Sequence, residues 1–268
     1  MIDAALQKEL RERFNPDGSR LRTVQMRLFD LLCKFDDFCS ANGIKYWLDS
    51  GTLIGAARHG GFIPWDDDID VMMLQEDWDK FQAAFKETDD LFLQTMDTEP
   101  YYVHIFPKFR DKHTWVQERF PRHYRVNGVY LDIFIIDRAY PKLIAQRCKM
   151  HNLYLNKLAN RIKVLTPYGA FRLRFWKGWF RFNVALCRFL FKPFRSKEYL
   201  RILPGCPFYK HLYKPEWVAE TVPMMFEGRE FPVPVAYDAY LTRLYGDWNS
   251  LPDLDKILVH LEDFREES

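Results

Sequence analysis

Helical and strand patterns alternate over the first 140 residues and a long basic helical stretch follows, which predicts a mixed α/β (α+β) protein whose sheet core carries a helical insertion. Residues 20–42 place Leu21, Val24, Leu28, Leu31, Leu32, Phe35 and Phe38 at helical spacing, and Gly43 supplies a stop. Residues 129–136 are almost wholly apolar, the pattern of a strand buried on both faces, yet they hold one carboxylate, Asp132. Between Arg138 and Lys197 there are fifteen Lys and Arg and no Asp or Glu.

The remaining elements follow in order. Residues 44–49 alternate and are rich in aromatics, so a strand is predicted, and the turn Ser50-Gly51-Thr52 leads into a short helix over 53–59. A second strand over 68–74 follows Pro64, and 75–86 reads as a helix. Further strands are placed at 103–110, 113–119 and 129–136. Residues 141–197 read as helical, and 198–268 as turn-rich with a helix near 235–245. With no internal repeat or low-complexity segment, the chain is read as one domain over 1–268, with 141–197 as an insertion within it.

Composition narrows the class. A chain 48% hydrophobic and 28% charged is an ordinary folded protein, not a disordered one. The cysteines (Cys33, Cys39, Cys148, Cys187, Cys206) form no CxxC pair, which points to reduced thiols and a cytosolic setting. The N-terminal stretch lacks a signal peptide's apolar core, and no window reaches about 18 uncharged apolar residues, so no transmembrane span is predicted. The histidines show no helical HxxxH pair, so no zinc site is expected. The net charge of +2 hides an asymmetry: outside the basic middle, 24 Lys and Arg face 37 Asp and Glu, leaving −13.

The chemistry concentrates in one stretch. Asp66, Asp68 and Asp70 alternate, and on an extended strand such residues share a face. Like charges gathered there are costly without a cation, and hard oxygen ligands suit Mg²⁺ or Mn²⁺. Backbone N–H groups at Ser50, Gly51 and Thr52, where a turn opens a helix, form a natural anion cradle. Asp132 arrives from a second strand as a further carboxylate, in a setting that tolerates an unpaired Asp poorly. Cradle, metal ligands and base together describe metal-assisted phosphoryl transfer. A calcium loop is excluded, because its Gly and Glu positions hold Val71 and Asp77. The plain alternative is a solvated acidic turn, against which stands the alternation into Val71-Met72-Met73, a pattern that buries one face.

The block from Trp47 to Met73, with Gly128-Val129-Tyr130-Leu131-Asp132-Ile133-Phe134 and the later Tyr245-Gly246-Asp247-Trp248, closely resembles the LicD family. Fukutin-like proteins share that core, which belongs to the polymerase-beta-like nucleotidyltransferase superfold. The match is specific over 46–74, good over 128–137, moderate over 231–248 and poor through 141–200. The resemblance implies a phosphocholine transferase. Such an enzyme moves phosphocholine from CDP-choline to a sugar hydroxyl of a cell-surface glycan, of lipopolysaccharide or teichoic-acid type, and releases CMP. It implies Asp68 and Asp70 as Mg²⁺ ligands with Asp66 alongside, and Asp132 completing the site and taking the acceptor's proton.

Donor contacts are expected from Ser50, Gly51, Thr52, Arg58, Lys108, Arg110, Asp247 and Trp248, with His59 and Glu118 as lesser candidates. Trp248 would stack on the base or face choline's ammonium; Trp47 and Trp65 flank the block. Each has a plain reading: a helix-end pair for Arg58 and His59, a polar strand face for Lys108 and Arg110, packing anchors for the tryptophans, and a solvated Glu118. Two functional alternatives stand beside the transferase: the same fold with another CDP-alcohol or a nucleotide as donor, and a catalytically silent glycan- or nucleotide-binding protein.

On a helix over 170–195, Arg174, Lys177, Arg181, Arg188, Lys192 and Arg195 form a basic stripe. Phe175, Trp179, Phe182, Leu186, Phe189 and Leu190 form a broad apolar face, and Pro193 ends the helix. The pattern suits an interfacial helix at an anionic membrane, where each basic residue adds about 1 kcal/mol. The alternative is a core-packed helix with a solvated basic stripe. Nucleic acid is not expected, because the rest of the chain is acidic and holds no recognised module. The sequence thus predicts a cytoplasmic protein, peripheral at the inner face of the plasma membrane, with a lipid-linked or surface glycan as acceptor.

Overall fold

The computed structural model describes residues 2–117, 124–161, 166–203, 206, 211–257 and 264–266. In chain order these form α1 (Ala4–Phe14), α2 (Arg20–Ala41), β1 (Trp47–Leu48), α3 (Ser50–His59), β2 (Asp70–Leu74), α4 (Gln75–Ala84), β3 (Leu91–Gln94), β4 (Lys108–Asp111), β5 (Thr114–Val116) and β6 (Tyr130–Arg138). They continue with α5 (Lys142–Arg161), α6 (Pro167–Leu190), β7 (Leu200–Ile202), α7 (Pro215–Val218), β8 (Thr221–Phe226), β9 (Arg229–Pro234), α8 (Tyr237–Tyr245) and β10 (Phe264–Glu266). The mixed α/β class expected from sequence holds.

The central sheet runs β1-β2-β6-β4-β3, and β7 pairs with the end of β6. Among the described residues of this sheet only β2 and β6 pair in parallel; the other pairs are antiparallel. One face carries Phe109, which meets Phe35 of α2 at 5.6 Å and Phe81 of α4 at 6.1 Å between ring centroids. Each fully buried side chain of this kind contributes roughly 1.5–3 kcal/mol. α2 begins where the Ser19 side chain accepts the Arg22 N–H, and its stripe of Leu28, Leu31, Leu32 and Phe35 lies in that core as its spacing predicts.

Element bounds shift in ways that matter for the site. The strand expected over 44–49 shrinks to two residues, and helix α3 opens at Ser50, so Ser50-Gly51-Thr52 is its first turn rather than a turn before it. The strand expected from 68 starts at Asp70. The strand expected over 103–110 starts at Lys108, and of the one over 113–119 only Thr114–Val116 is a described strand. The β8–β9 hairpin was not legible in sequence. Its two-residue turn has positive φ at Glu227 (51°) and Gly228 (87°), the I′ geometry that Asn-Gly usually signals, with Glu in the unusual place.

Helices α5 and α6 fill the connection between β6 and its neighbour β7. They pack on each other and on Tyr102 and Val103 through Leu155, Leu158, Leu173 and Phe180. Two expectations are corrected here. Lys177, placed on the exposed basic stripe, is buried, with Nζ donating to the carbonyls of Glu99 and Pro100 at 3.0 Å each; burial lowers its pKa to about 8. Pro193 lies in a 3₁₀ turn after the helix has ended at Leu190. Among the described residues no helix is long and apolar enough to cross a membrane.

Candidate active site

Strand register builds the centre of the site. The Asp49 N–H donates to the Asp70 carbonyl at 3.0 Å just beyond the β1–β2 pair. Asp70 pairs with Asp132 across β2–β6, and Asp132 pairs with Lys108 across β6–β4. Paired residues on strands about 4.8 Å apart point to one face. Asp49, Asp70, Asp132 and Lys108 therefore form a row across the sheet, on the face opposite Phe109. Lys108 Nζ stands 2.9 Å from Asp132 Oδ1 and 3.1 Å from the centroid of the Tyr130 ring.

Asp66 and Asp68 join this row from outside the strand. They lie in the irregular segment after the Pro64-Trp65 turn, so the strand alternation expected for the three carboxylates is replaced by a loop that folds them in. Gln25, buried in α2, donates to the Asp66 carbonyl at 2.8 Å and anchors that loop. The Asp66 carboxylate packs over α3: a Cβ at Gly51 would lie 2.7 Å from Asp66 Oδ2. Glycine at position 51 is thus the residue that lets this carboxylate sit on the helix's first turn.

The electrostatics follow from this crowding. Burial, then the charges of Asp132 and Asp67, push the Asp68 carboxyl up to about 6, with Lys108 pulling the other way. Asp66 and Asp70 are pushed well above the usual carboxylate range, by burial first and by their acidic neighbours second. Asp49 is also raised by burial, against hydrogen bonds from Tyr240 and Ser50. Asp66, Asp68 and Asp70 are nevertheless half-buried as whole residues rather than fully enclosed. Among the described residues no three acidic, histidine or cysteine side chains converge into a ready cage for a metal ion. The donor set itself is hard carboxylate oxygen carrying more negative charge than Lys108 offsets, which fits Mg²⁺ or Mn²⁺ in kind.

The amino end of α3 adjoins the row. Ser50 has φ of 49°, and its Oγ donates to Asp49 Oδ2 at 3.0 Å. The Thr52 hydroxyl accepts the Asp70 N–H at 2.9 Å and ties the helix start to the strand start. From α8, the Tyr240 hydroxyl donates to Asp49 Oδ1 and Tyr245 comes close to Ser50.

Other candidates lie elsewhere. Arg58 sits eight residues along α3, about 12 Å from Ser50 at 1.5 Å per residue. It is buried, and its Nη1 donates to the carbonyls of Trp248 (3.0 Å) and Ser250 (2.9 Å), so it secures the segment after α8. Asp247 accepts from Ser250 Oγ, and Trp248 donates to Asp238 at 3.1 Å, which places both at that same far end. Arg110 is fully buried and donates to Gln94 Oε1 at 2.8 Å and to the Gly128 carbonyl at 2.7 Å. Its guanidinium lies 4.7 Å from the centroid of the Tyr130 ring, which Lys108 also meets. Trp47 is a core residue, and Trp65 packs on Phe14 at 5.2 Å and on His59 at 6.2 Å. Glu118 falls outside the described residues.

Sequence reasoning missed Asp49, Tyr130, Tyr240 and Tyr245. Asp49 had a signal, since an acid directly before a helix start is an N-cap position. Tyr130 and Tyr245 stood inside the quoted family-like blocks, whereas Tyr240 had no signal, because only the docking of α8 brings it here.

Residues 43–152 match the family model described as LicD/FKTN/FKRP, nucleotidyltransferase domain, a span that holds the whole carboxylate row and Lys108. The chain is 31% identical over 116 residues to the human ribitol 5-phosphate transferase FKRP, covering 31% of this chain and 22% of that protein. A short stretch of 49 residues is 45% identical to the mannosyltransferase regulator 4 of Saccharomyces cerevisiae, 18% of this chain and 4% of that protein. Similarity to the lipopolysaccharide cholinephosphotransferase LicD of Haemophilus influenzae is 32% identity over 247 residues, covering 87% of this chain and 92% of that protein. A likeness that runs nearly end to end, over a domain match that encloses the site, shows that this chain belongs to the LicD family.

Proposed function

We propose that this chain is a phosphotransferase that moves phosphocholine from CDP-choline to a sugar hydroxyl of a cell-surface glycan and releases CMP. The observation that carries the reading is the row Asp49–Asp70–Asp132–Lys108, joined by Asp66 and Asp68 beside the amino end of α3. The near full-length similarity to a lipopolysaccharide cholinephosphotransferase supports phosphocholine as the group moved and a lipopolysaccharide-type acceptor.

Asp66, Asp68 and Asp70 would hold Mg²⁺ or Mn²⁺, with Asp132 at the edge of the set. Bound there, the ion would polarise the donor's phosphoryl oxygens and offset charge on the departing CMP. First-turn N–H groups of α3 bind a phosphate oxygen of the donor. Asp132 accepts the proton of the acceptor hydroxyl as that oxygen bonds to the phosphorus bearing choline. The bond from this phosphorus to the bridging oxygen breaks, and its electron pair leaves with CMP. Lys108, 2.9 Å from Asp132, orients that carboxylate for the task.

A second reading keeps the site and changes the donor. The similarity to a ribitol 5-phosphate transferase makes another CDP-alcohol the specific competitor. The test compares CMP release from CDP-choline and CDP-ribitol, and pyrophosphate release from CTP, with a lipid-linked glycan extract as acceptor. The phosphocholine reading expects CDP-choline to have the highest kcat/KM. At least tenfold preference for a different donor, about 1.4 kcal/mol at the transition state, would reassign it.

A further inference from the structure

We infer that the outer face of the α5–α6 pair docks on an anionic lipid bilayer surface. The inference rests on this helix pair and not on the choice of donor. At 100° per residue, Phe171, Phe175, Phe182, Leu186 and Phe189 fall within an arc of about 60° along the whole of α6. All are exposed, Phe175 by 57%, Phe182 by 56% and Phe189 by 78%. The helix packs inward through a different stripe, Leu173, Phe180 and Cys187. It therefore has two apolar faces, and only one is used by the fold. Folding a chain so that a row of phenylalanines stays wet is unfavourable unless something covers them.

The face extends beyond α6. The Tyr154 ring on α5 meets Trp176 at 5.2 Å, and Trp176 meets Phe175 at 5.5 Å, so an aromatic chain bridges the helices. Leu143 and Met150 continue the exposed apolar surface along α5. Past the end of α6, Phe194 is 68% exposed.

Charge selects the occupant. Residues 138–197 hold fifteen Lys and Arg and no acid, and Arg147, Lys157, Arg161, Arg172, Arg174 and Lys192 are exposed there. The acids brought in from outside, Asp97 and Asp137, are taken up by Arg181 and by Arg195 with Arg188. A second copy of the face would set like charge against like, whereas anionic headgroups complement it. The acidic remainder, at −13, would be repelled by the same surface, so the field also orients the molecule. Since no described helix can cross a bilayer, the pair lies in the interface plane with its aromatics in the headgroup–acyl boundary.

The test is co-sedimentation of the full chain with phosphatidylcholine vesicles, with and without about one-third phosphatidylglycerol, at low and high salt. The native protein is expected to bind the anionic vesicles at low salt and release at high salt. Phe175→Ser/Phe182→Ser/Phe189→Ser is expected to bind at least tenfold more weakly with an unchanged melting temperature, because those side chains leave the core untouched. Asp70→Asn, which alters only the carboxylate row, is expected to bind as the native protein does. Absence of native binding at low salt, or triple-variant binding equal to native, would overturn the inference. So would a native dimer that the triple variant dissolves without any vesicle binding, since the occupant would then be a second copy.

Discussion

The carboxylate row and the α5–α6 pair break the usual partition of residues in opposite directions. At the row, acids are drawn out of water against one another, with Lys108 beside Asp132 and the Asp68 carboxyl pushed up to about 6. On the helix pair, phenylalanines stay in water although the same helix has an inner stripe well able to bury such residues. Neither arrangement helps the isolated chain to fold, and in the proposals above each is completed by something outside it: a cation and a phosphorylated donor in one case, a bilayer in the other. Sites of binding are where a fold tolerates such misplacement.

The sharpest break between the two faces of α6 is a pair of truncations. Phe180→Ala empties a buried position and is expected to cost about 3–5 kcal/mol by chemical denaturation. Phe182→Ala, two residues on, removes an exposed ring and is expected to stay within about 0.5 kcal/mol of native. Equal costs would mean that the outer face is packed after all.

At the row, Gly51→Ala should separate activity from stability. Alanine suits a helix better than glycine by roughly 0.5–1 kcal/mol, yet its Cβ would stand 2.7 Å from Asp66 Oδ2 and displace that carboxylate. CMP release should fall about tenfold, some 1.4 kcal/mol, while the melting temperature holds or rises. A parallel loss of both would show that the glycine serves folding alone.

The smallest effect expected is in pH dependence. Carboxyls in the unfolded chain ionise near pH 4. In the folded protein Asp68 holds its proton until about pH 6, and Asp66 and Asp70 are raised as well. The native state then binds more protons than the unfolded state across that window, so metal-free stability falls as pH rises from about 4 to 6. Thermal melts with EDTA should show that decline, and millimolar Mg²⁺ should reverse it above pH 6 and do little near pH 4. Equal melts with and without Mg²⁺ at pH 7.5 would argue against cation binding at the row.

How much of this the sequence disclosed depended on range. Asp68, Asp70 and Asp132 were legible because short motifs and an apolar strand with one acid carry their own warning. That Asp132 would join the other two was expected; the parallel register that sets it against Asp70, between strands some sixty residues apart, was not legible. Lys177 misled for a related reason: helical periodicity gives a face but not which neighbour covers it, and the carbonyls of Glu99 and Pro100 are far away in sequence. Arg58 and Arg110 look like phosphate ligands by type, yet Arg58 donates to backbone carbonyls and Arg110 to the Gly128 carbonyl and the Gln94 side chain. The α2 stripe and the class of the fold came through because each rests on local periodicity.

The most direct measurement is CMP release from CDP-choline with Mg²⁺ and a lipid-linked glycan acceptor, for the native chain and Asp70→Asn. The variant keeps the shape of the side chain and removes one of the mutually repelling charges. The reading proposed above expects Mg²⁺-dependent CMP from the native protein, at least a thousandfold loss in the variant, about 4 kcal/mol, and a melting temperature equal to native or higher. Turnover that survives in Asp70→Asn, or native turnover indifferent to EDTA, would contradict it.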